Sequence, residues 1–238
     1  MAIHRSTATR AVISRSALSA AADDAVASGG RVADLRRDAF GHGLLPVARA
    51  VLGAGVERVR VDDDDQERML RGHGLNATTR DEPDIDPALL YGLPDDAAPE
   101  RRPVMRLAGR VMSLKPLRRG EAVSYGYTHR APSDTTVALV TGGYAQAIVR
   151  ALGNRADVEV LGTLRPIVGR VAMDVCVVDL QDPGHATSSD IKPGAEVTFF
   201  GGTGPARRAL REWSTATGLT TTELVCAAGL RASRGEED

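Results

Sequence analysis

Along the first 75 residues, the spacing of apolar positions switches between the period of strands and that of helices. Three short runs, RAVIS, RVADL and VERVRV, predict β-strands. Three longer stretches predict helices: RSALSAAADDAVAS and LLPVARAVLGAG end at glycine, and DDDDQERMLRGHG begins with aspartates that complement the helix dipole. This alternation predicts βα units.

A polar, proline-containing stretch interrupts the pattern at residues 76–103 and predicts a domain boundary. Beyond it, short branched runs separated by glycine and proline predict a mainly-β region; they are VMRLAGRVMSL, EAVSYGYT, TTVALV, VEVLG, PIVGRVAMDVCVVDL and AEVTFFG. Two helical stretches, PARRALREWSTATG and TTTELVCAAGL, precede a charged tail. We therefore predict an α/β part at residues 1–94 and a β domain, a small barrel or folded sheet, at residues 103–234.

The composition excludes some partners and compartments. With 238 residues, 42% of them hydrophobic, the chain can bury a substantial core, and its net charge of -1 gives no basic surface for nucleic acid. Its apolar runs are too short to span a membrane. Residues 1–14 lack the apolar core of a secretory signal, so we expect a cytoplasmic protein.

Nucleophilic and metal-binding side chains are scarce. Cys176 and Cys226 lie in apolar sequence, which predicts buried thiols rather than a disulfide framework, and no metal site is expected. Of the 30 basic residues, only Lys115 and Lys192 are lysines. Chemistry that needs a side-chain amine therefore has two candidates.

Several motifs occur in the order and spacing of a known family. In the β region they are VSYG, GYA with an arginine shortly after it, and VGRVAMD; in the first part they are DAFGHG and PALLYGLP. With these motifs the chain resembles the alanine racemases over residues 103–234 and, more weakly, over the first 94 residues. The resemblance implies an eight-stranded α/β barrel that holds pyridoxal phosphate (PLP). It also implies a β domain that caps the partner subunit's barrel in a head-to-tail dimer.

The reaction of the family, interconversion of L- and D-alanine, implies a role for each matching residue. Two bases act on opposite faces of the substrate while PLP withdraws electrons: a lysine of the signature loop and a tyrosine from the other subunit. That tyrosine corresponds to Tyr125, and the backbone position that helps to bind the substrate carboxylate corresponds to Met173. Positions lining the channel by which substrate enters correspond to Tyr144, Arg150, Arg170 and Asp174.

Four positions depart from the family where PLP would be held. The cofactor lysine, counted back from GHG, falls on Arg36, whose guanidinium stays protonated and cannot form the internal aldimine. The arginine beside the pyridine nitrogen falls on Ile85, and the phosphate-binding glycine on Pro87, which has no N–H. A phosphate-binding tyrosine falls on Thr222, and the family's GYADG becomes GYAQA. We therefore expect no cofactor.

The α/β part is also short for this fold. About 100 residues precede the β domain, whereas an eight-stranded α/β barrel takes roughly 200 or more. Because the signature loop and the last-strand motif are both present, the middle of the barrel is missing and an incomplete TIM-like unit remains. Its open strand edges should be covered by the β domain or by a second chain, which favours an obligate dimer.

These observations favour a degenerate alanine-racemase-like protein, without PLP or racemase activity, that forms a head-to-tail homodimer and has a ligand-binding, regulatory or structural role. The expected ligand is an amino acid or a similar small carboxylate near Tyr125 and Met173. One alternative is an active PLP-dependent alanine racemase, with PLP bound non-covalently or with the barrel completed by another chain. Another is a PLP-independent racemase built on Cys176 and Cys226.

Overall fold

The computed structural model of the protein describes residues 8–95, 97–180 and 190–238. The prediction that no secretory signal is present rests partly on residues 1–7, which lie outside these ranges. In chain order the strands are β1 (Arg10–Ser14), β2 (Val32–Asp34), β3 (Arg58–Arg60), β4 (Ala77–Thr78), β5 (Met105–Leu117), β6 (Ala122–Val123), β7 (His129–Arg130), β8 (Thr135–Thr141), β9 (Asp157–Val160), β10 (Thr163–Val168), β11 (Val175–Asp179), β12 (Glu196–Phe200) and β13 (Ser233–Glu237). The helices are α1 (Arg15–Ala27), α2 (Arg36–Phe40), α3 (Leu44–Gly53), α4 (Asp64–Gly72), α5 (Pro87–Leu90), α6 (Ala209–Thr217) and α7 (Thr221–Gly229).

Strands of the β domain close into an antiparallel barrel. Strand β5 pairs with β8, β8 with β11, β11 with β10, β10 with β9, and β9 with β12, which returns to β5. Branched side chains such as Val140, Val158 and Val178 fill the interior and are fully buried. At one end, Trp213 of α6 packs edge-on against Phe199 and Phe200, with ring centroids 6.3 and 5.5 Å away. The predicted small barrel is confirmed.

The first strand belongs to the β domain, which differs from the expectation that it begins a βα unit. Strand β1 runs antiparallel to β5 and parallel to β13. Its central residues Ala11, Val12 and Ile13 are all buried, because they are covered on both faces. Strand β13 lies in the stretch predicted as a charged tail, and its Glu237 pairs with Arg106 of β5 at 2.9 Å. A charged edge strand carries few apolar residues, so the pattern of hydrophobic positions did not predict β13.

The remaining strands of the first part form a short parallel sheet in the order β2-β3-β4. Ala33, Val59 and Ala77 lie side by side in register and are fully buried. Helices α1 and α4 begin where the sequence predicts, since Ser14 and Asp63 accept N–H hydrogen bonds as N-caps. An incomplete α/β barrel unit is thus confirmed.

The motif PALLYGLP forms helix α5 rather than the end of a strand, and this corrects the expectation from the resemblance. Asp86 caps the helix by accepting from the N–H of Ala88 at 2.8 Å, and Pro87 occupies the first helical position. Proline fits there because that position needs no N–H donor. Across the three described ranges, no helix combines the length and apolar composition needed to cross a bilayer.

Candidate functional site

The short element α2, in the loop that follows β2, is a rare left-handed turn rather than a right-handed helix. Arg37, Asp38, Ala39 and Phe40 all have φ between 53 and 56°, a conformation that costs energy for residues with a Cβ atom. Side-chain hydrogen bonds at both ends hold the turn. The Asp62 carboxylate accepts from the N–H of Arg37 at 2.7 Å, and the Asp38 carboxylate accepts from the N–H of the first residue of α3 at 2.7 Å.

His42 and Tyr91 form a buried stack beneath this turn. Their ring centroids lie 4.3 Å apart, and the Tyr91 hydroxyl donates to the carbonyl of Asp34 at 2.9 Å. Burial lowers the pKa of His42 to about 4, so the ring is neutral near pH 7. Its Nδ1 donates to the carbonyl of Ala39 at 2.9 Å, while its Nε2 has no partner among the described residues. The stack joins the signature loop to the YG motif.

Arg36 lies at the start of this loop and is bound to Asp34. The Nε and Nη2 atoms of Arg36 donate to the two oxygens of the Asp34 carboxylate at 2.9 and 2.6 Å. Asp34 is buried, whereas the Arg36 side chain is 45% exposed. The hydrogen bonds that Arg36 donates to the Asp34 carboxylate raise the pKa of Arg36 above its usual value. The position predicted to correspond to the cofactor lysine therefore holds a charged guanidinium in a bidentate ion pair.

The other predicted cofactor positions lie on three separate elements. Ile85 is buried against Gly30, at the outer edge of β2. Pro87 is the first residue of α5. Thr222 lies in the first turn of α7, and the C-terminal end of this helix packs on the signature loop at Gly41.

Tyr125 lies at the tip of the hairpin formed by β6 and β7. A 3₁₀ turn spans Tyr125–Tyr127, and Ser124 enters it with a φ of 64°. The Ser124 hydroxyl donates to the carbonyl of Arg170 at 2.5 Å, which fixes the tip against the segment before β11. Tyr125 and Tyr127 expose 69% and 67% of their surface beside a cavity of about 620 Å³ that Arg170 also lines.

The remaining predicted residues of the β domain are arranged around a second turn. The Arg150 guanidinium lies 4.8 Å from the centre of the Tyr144 ring, within the range of a cation–π contact. The backbone N–H groups of Tyr144 and Ala145 donate to the carbonyls of Ala172 and Met173, each at 2.9 Å. The Met173 side chain therefore extends from a fixed backbone and is 55% exposed.

Gln146 contributes to this turn in a way that the sequence did not reveal. Its side-chain oxygen accepts from the N–H of Gly143 at 2.9 Å, and its amide nitrogen donates to Asp174 at 3.2 Å. An aspartate at this position, as in the family's motif, would meet a second carboxylate at Asp174. The glutamine instead supplies a donor.

Of the predicted site residues in the β domain, Tyr125 and Arg170 line the cavity, whereas the described lining does not include Tyr144, Arg150, Met173 or Asp174. The cavity beside Tyr125 is lined by β-domain residues, and in the described part of the chain neither Arg36, Ile85 nor Pro87 lines it. Sequence reasoning missed Asp34 as the partner of Arg36, because an acidic residue at the end of a strand carries no signal by itself. The roles of His42 and Tyr91 were also missed, although both lie in the quoted motifs.

The two thiols have no features of paired catalytic bases. Burial raises the pKa of Cys176 to about 12 and also raises that of Cys226. Cys176 lies in β11 of the barrel and Cys226 in α7. Thiols that remain protonated near pH 7 are poor proton acceptors.

The sequence relatives of this chain are alanine racemases. A sequence model of the family described as "Alanine racemase, C-terminal domain" matches residues 104–235. The alanine racemase of Mycolicibacterium vanbaalenii is 42% identical over 113 residues, which cover 48% of this chain and 28% of the relative. That of Chlorobaculum tepidum is 37% identical over 150 residues, which cover 61% of this chain and 37% of the relative. The chain thus matches about a third of the length of these curated relatives.

Solved alanine racemases share the fold. The structure from a D-cycloserine-producing Streptomyces lavendulae superposes with a TM-score of 0.79 and 19% identity, over 99% of this chain and 98% of that one. The structure from E. faecalis gives a TM-score of 0.77 and 16% identity over the whole of both chains. The match to the family's sequence model lies in the β domain and covers more than half of the 238 residues. The chain therefore belongs to the alanine racemase family.

Proposed function

We propose that this chain is an alanine-racemase-like protein that holds no PLP, catalyses no racemisation and acts as a dimeric ligand-binding, regulatory or structural protein. The observation that carries the proposal is the bidentate ion pair between Arg36 and Asp34. PLP would need a neutral amine at this position. A guanidinium does not lose its proton in a protein, and Asp34 raises the pKa of Arg36 further.

The lysines offer no replacement for the missing amine. Lys115 lies exposed on β5, where it pairs in register with Val137, and Lys192 lies exposed in the turn before β12. Activation of a lysine requires desolvation or a neighbouring cation, and an exposed position supplies no desolvation. Neither lysine belongs to the loop that contains Arg36.

The phosphate and pyridine positions do not fit PLP either. Pro87 cannot donate a backbone N–H, and it begins a helix of only one turn. The Ile85 side chain has no group that could bond to a pyridine nitrogen, and it is packed against Gly30. Thr222 has a hydroxyl on a much shorter side chain than the tyrosine it replaces. These residues support a protein without PLP, and we derive no chemical step through that group.

The β domain keeps groups suited to a small carboxylate. The Arg170 guanidinium and the Tyr125 hydroxyl are both donors at the cavity of about 620 Å³, whose remaining lining is largely apolar. Hydrogen bonds from arginine to a carboxylate are charge-assisted and are roughly twice as strong as bonds between neutral groups. The apolar lining, which includes Leu139 and Val175, would receive a short aliphatic chain. An amino acid or a similar carboxylate fits this chemistry.

The β domain also supports head-to-tail association of two copies. Tyr125, Tyr127 and Met173 are each more than half exposed, and exposed apolar surface commonly marks an interaction surface. Arg150 and Arg170 add positive charge to the β domain, whereas residues 62–65 of the first part are four consecutive aspartates. Opposite charges on two different regions favour pairing of one copy's β domain with the other copy's first part.

The loss of PLP can be tested by incubating the purified protein with PLP, reducing it with borohydride and locating any adduct by mass spectrometry. We expect no stoichiometric adduct and no racemisation of L-alanine. The double variant Lys115→Gln/Lys192→Gln is the control: an adduct that is present in the wild type and absent in this variant has formed on one of the two exposed lysines. A stoichiometric lysine adduct accompanied by racemisation would contradict the proposal.

The ligand and the dimer need separate measurements. Calorimetric titration with L-alanine, D-alanine and acetate should detect binding that Arg170→Ala weakens at least tenfold and that Arg49→Ala, on exposed α3 surface, leaves unchanged. Sedimentation velocity should show a dimer that Tyr127→Ser weakens more than Leu219→Ser does. Absence of binding in all three titrations would refute the ligand assignment, and a monomeric wild type would refute the dimer.

The competing function is an active PLP-dependent alanine racemase. The observation in its favour is that Tyr125, at the family's base position, is exposed at a cavity. If racemisation appears when PLP is added and disappears in Tyr125→Phe, this alternative replaces the proposal.

A further inference from the structure

The parallel sheet β2-β3-β4 has two outer strands, each with one side that would continue into a complete barrel. An unpaired strand side presents backbone N–H and C=O groups that can recruit a strand from another chain. In this protein, side chains of the same chain occupy those backbone groups at both sides.

The outer side of β4 is covered by α4. The backbone carbonyls of Asn76 and Thr78 already accept from β3, so the carbonyl of Ala77 and the N–H of Thr79 point the other way. The Arg71 guanidinium donates to the Ala77 carbonyl at 3.2 and 3.3 Å, and the Glu67 carboxylate accepts from the Thr79 N–H at 2.8 Å.

Glu67 and Arg71 act together because they are one turn apart on α4. An ion pair of 2.7 Å joins them, so each holds the other in place along the strand. Arg71 supplies a donor to the Ala77 carbonyl, and Glu67 supplies an acceptor to the Thr79 N–H. The backbone of a neighbouring strand would present the same alternation of donors and acceptors.

The outer side of β2 is covered by Asp84. Its carboxylate accepts from the N–H groups of Arg31 and Val32 at 2.8 and 2.7 Å. In return, the N–H groups of Asp84 and Ile85 donate to the Val32 carbonyl at 3.1 and 3.3 Å. These bonds to Val32 and Arg31 lower the pKa of Asp84, so its carboxylate stays charged at neutral pH.

The segment between the two covered sides, residues 79–86, spans the sheet and is called the strap here. Asp81 of the strap forms an ion pair with Arg58 of the central strand β3. The hydrogen bonds to Asp34 are the main cause of the raised pKa of Arg36, and the negative charge of Glu82 in the strap adds to it. The strap therefore joins the two outer strands and places the Asp81 carboxylate against Arg58 of the sheet.

We infer that α4 and the strap close the incomplete barrel from within the chain, so that no second chain adds strands to it. Helix α4 and Asp84 take the hydrogen-bonding positions of the missing neighbouring strands. The expectation that the β domain or a second chain must cover these edges is replaced by closure within the first part. This inference is independent of whether PLP binds.

The test is amide hydrogen exchange at Thr79 in the full chain. The variant Glu67→Ala/Arg71→Ala removes the cover of β4, and Asp65→Ala/Arg68→Ala is its matched control, since that pair lies exposed on the same helix. We expect Thr79 to exchange about tenfold faster in the first variant than in the wild type or the control. Equal exchange in all three proteins would overturn the inference.

A second measurement covers the case in which the first variant does not fold. Asp84→Asn keeps the side-chain volume and should speed exchange at Arg31 and Val32, whereas Asp23→Asn on α1 should not. Exchange should also be independent of protein concentration in the wild type. Protection of Thr79 or Val32 that appears only at high concentration would show that another chain covers the edge, and would refute closure from within.

Discussion

Gly41 and Gly229 pack backbone against backbone, and this contact joins the signature loop to α7. A Cβ atom placed on Gly229 would lie 2.7 Å from the carbonyl oxygen of Gly41 and 2.8 Å from its Cα. Backbone atoms at such a distance cannot move aside as a flexible side chain can. The junction between the α/β part and the β domain therefore depends on the absence of a side chain at this point.

Gly229→Ala should destabilise the protein by about 1–3 kcal/mol, because the added methyl group overpacks the junction. The measurement is urea unfolding followed by circular dichroism. Gly53→Ala serves as the control, since Gly53 ends α3 with open space around it and alanine favours helix. A Gly229→Ala protein as stable as wild type would show that the junction can separate without cost.

Arg36→Ala should cost about 1–3 kcal/mol, because the buried Asp34 carboxylate loses both guanidinium hydrogen bonds. Arg37→Ala should change stability by less than about 0.5 kcal/mol. Arg37 is 77% exposed and its guanidinium lies 3.8 Å from Asp62. Unfolding of the two variants under the same conditions makes the comparison, and equal effects would contradict a structural role for the Arg36 pair.

Stability should fall as pH drops below 6.5 because of His42. The unfolded ring has its ordinary pKa of 6.5, and burial lowers the folded value to about 4. Between these values the unfolded state binds more protons, so unfolding becomes more favourable as pH falls. Below about pH 4 the effect saturates at about 3 kcal/mol.

The measurement is the free energy of unfolding from pH 7 to pH 4. His42→Phe keeps a ring against Tyr91 and should flatten this dependence, even if its absolute stability is lower. His73→Gln, at an exposed position after α4, should retain the wild-type slope. Identical slopes in wild type and His42→Phe would assign the acid sensitivity to other groups.

Both cysteines should resist iodoacetamide in the folded protein near pH 7. Their pKa values are raised by burial, to about 12 for Cys176, so the reactive thiolate is scarce. Mass spectrometry before and after addition of denaturant provides the comparison. Rapid native alkylation of both thiols would revive the two-cysteine racemase hypothesis.

The sequence predicted the local elements well and their partners poorly. Alternating periods identified α1, α3 and α4, and the caps at Ser14 and Asp63 fixed two of their starts. Strand β1 was also predicted. Its pairing with β5 and β13 could not be predicted, because a five-residue run does not specify which strands lie beside it. Long-range pairing depends on the whole fold.

Motifs located the site residues without revealing their contacts. The resemblance singled out Arg36 and Tyr125, and the structure places both in ordered turns. The Asp34 partner and the edge cover by Glu67 and Arg71 escaped prediction, because single charged residues at strand ends and on helices are common everywhere. Which of them face backbone groups is decided by the three-dimensional fold.

The position of β1 also constrains the order of folding. This strand is synthesised first among the described strands, yet it lies between β5 and β13 and pairs with residues from Met105 to Ala108 and from Ser233 to Glu237. Closing so long a loop costs chain entropy and slows folding. On the ribosome, β1 therefore has no strand partner until β5 has emerged, and its other side stays open until β13 follows. During that wait its apolar residues would be exposed to chaperones.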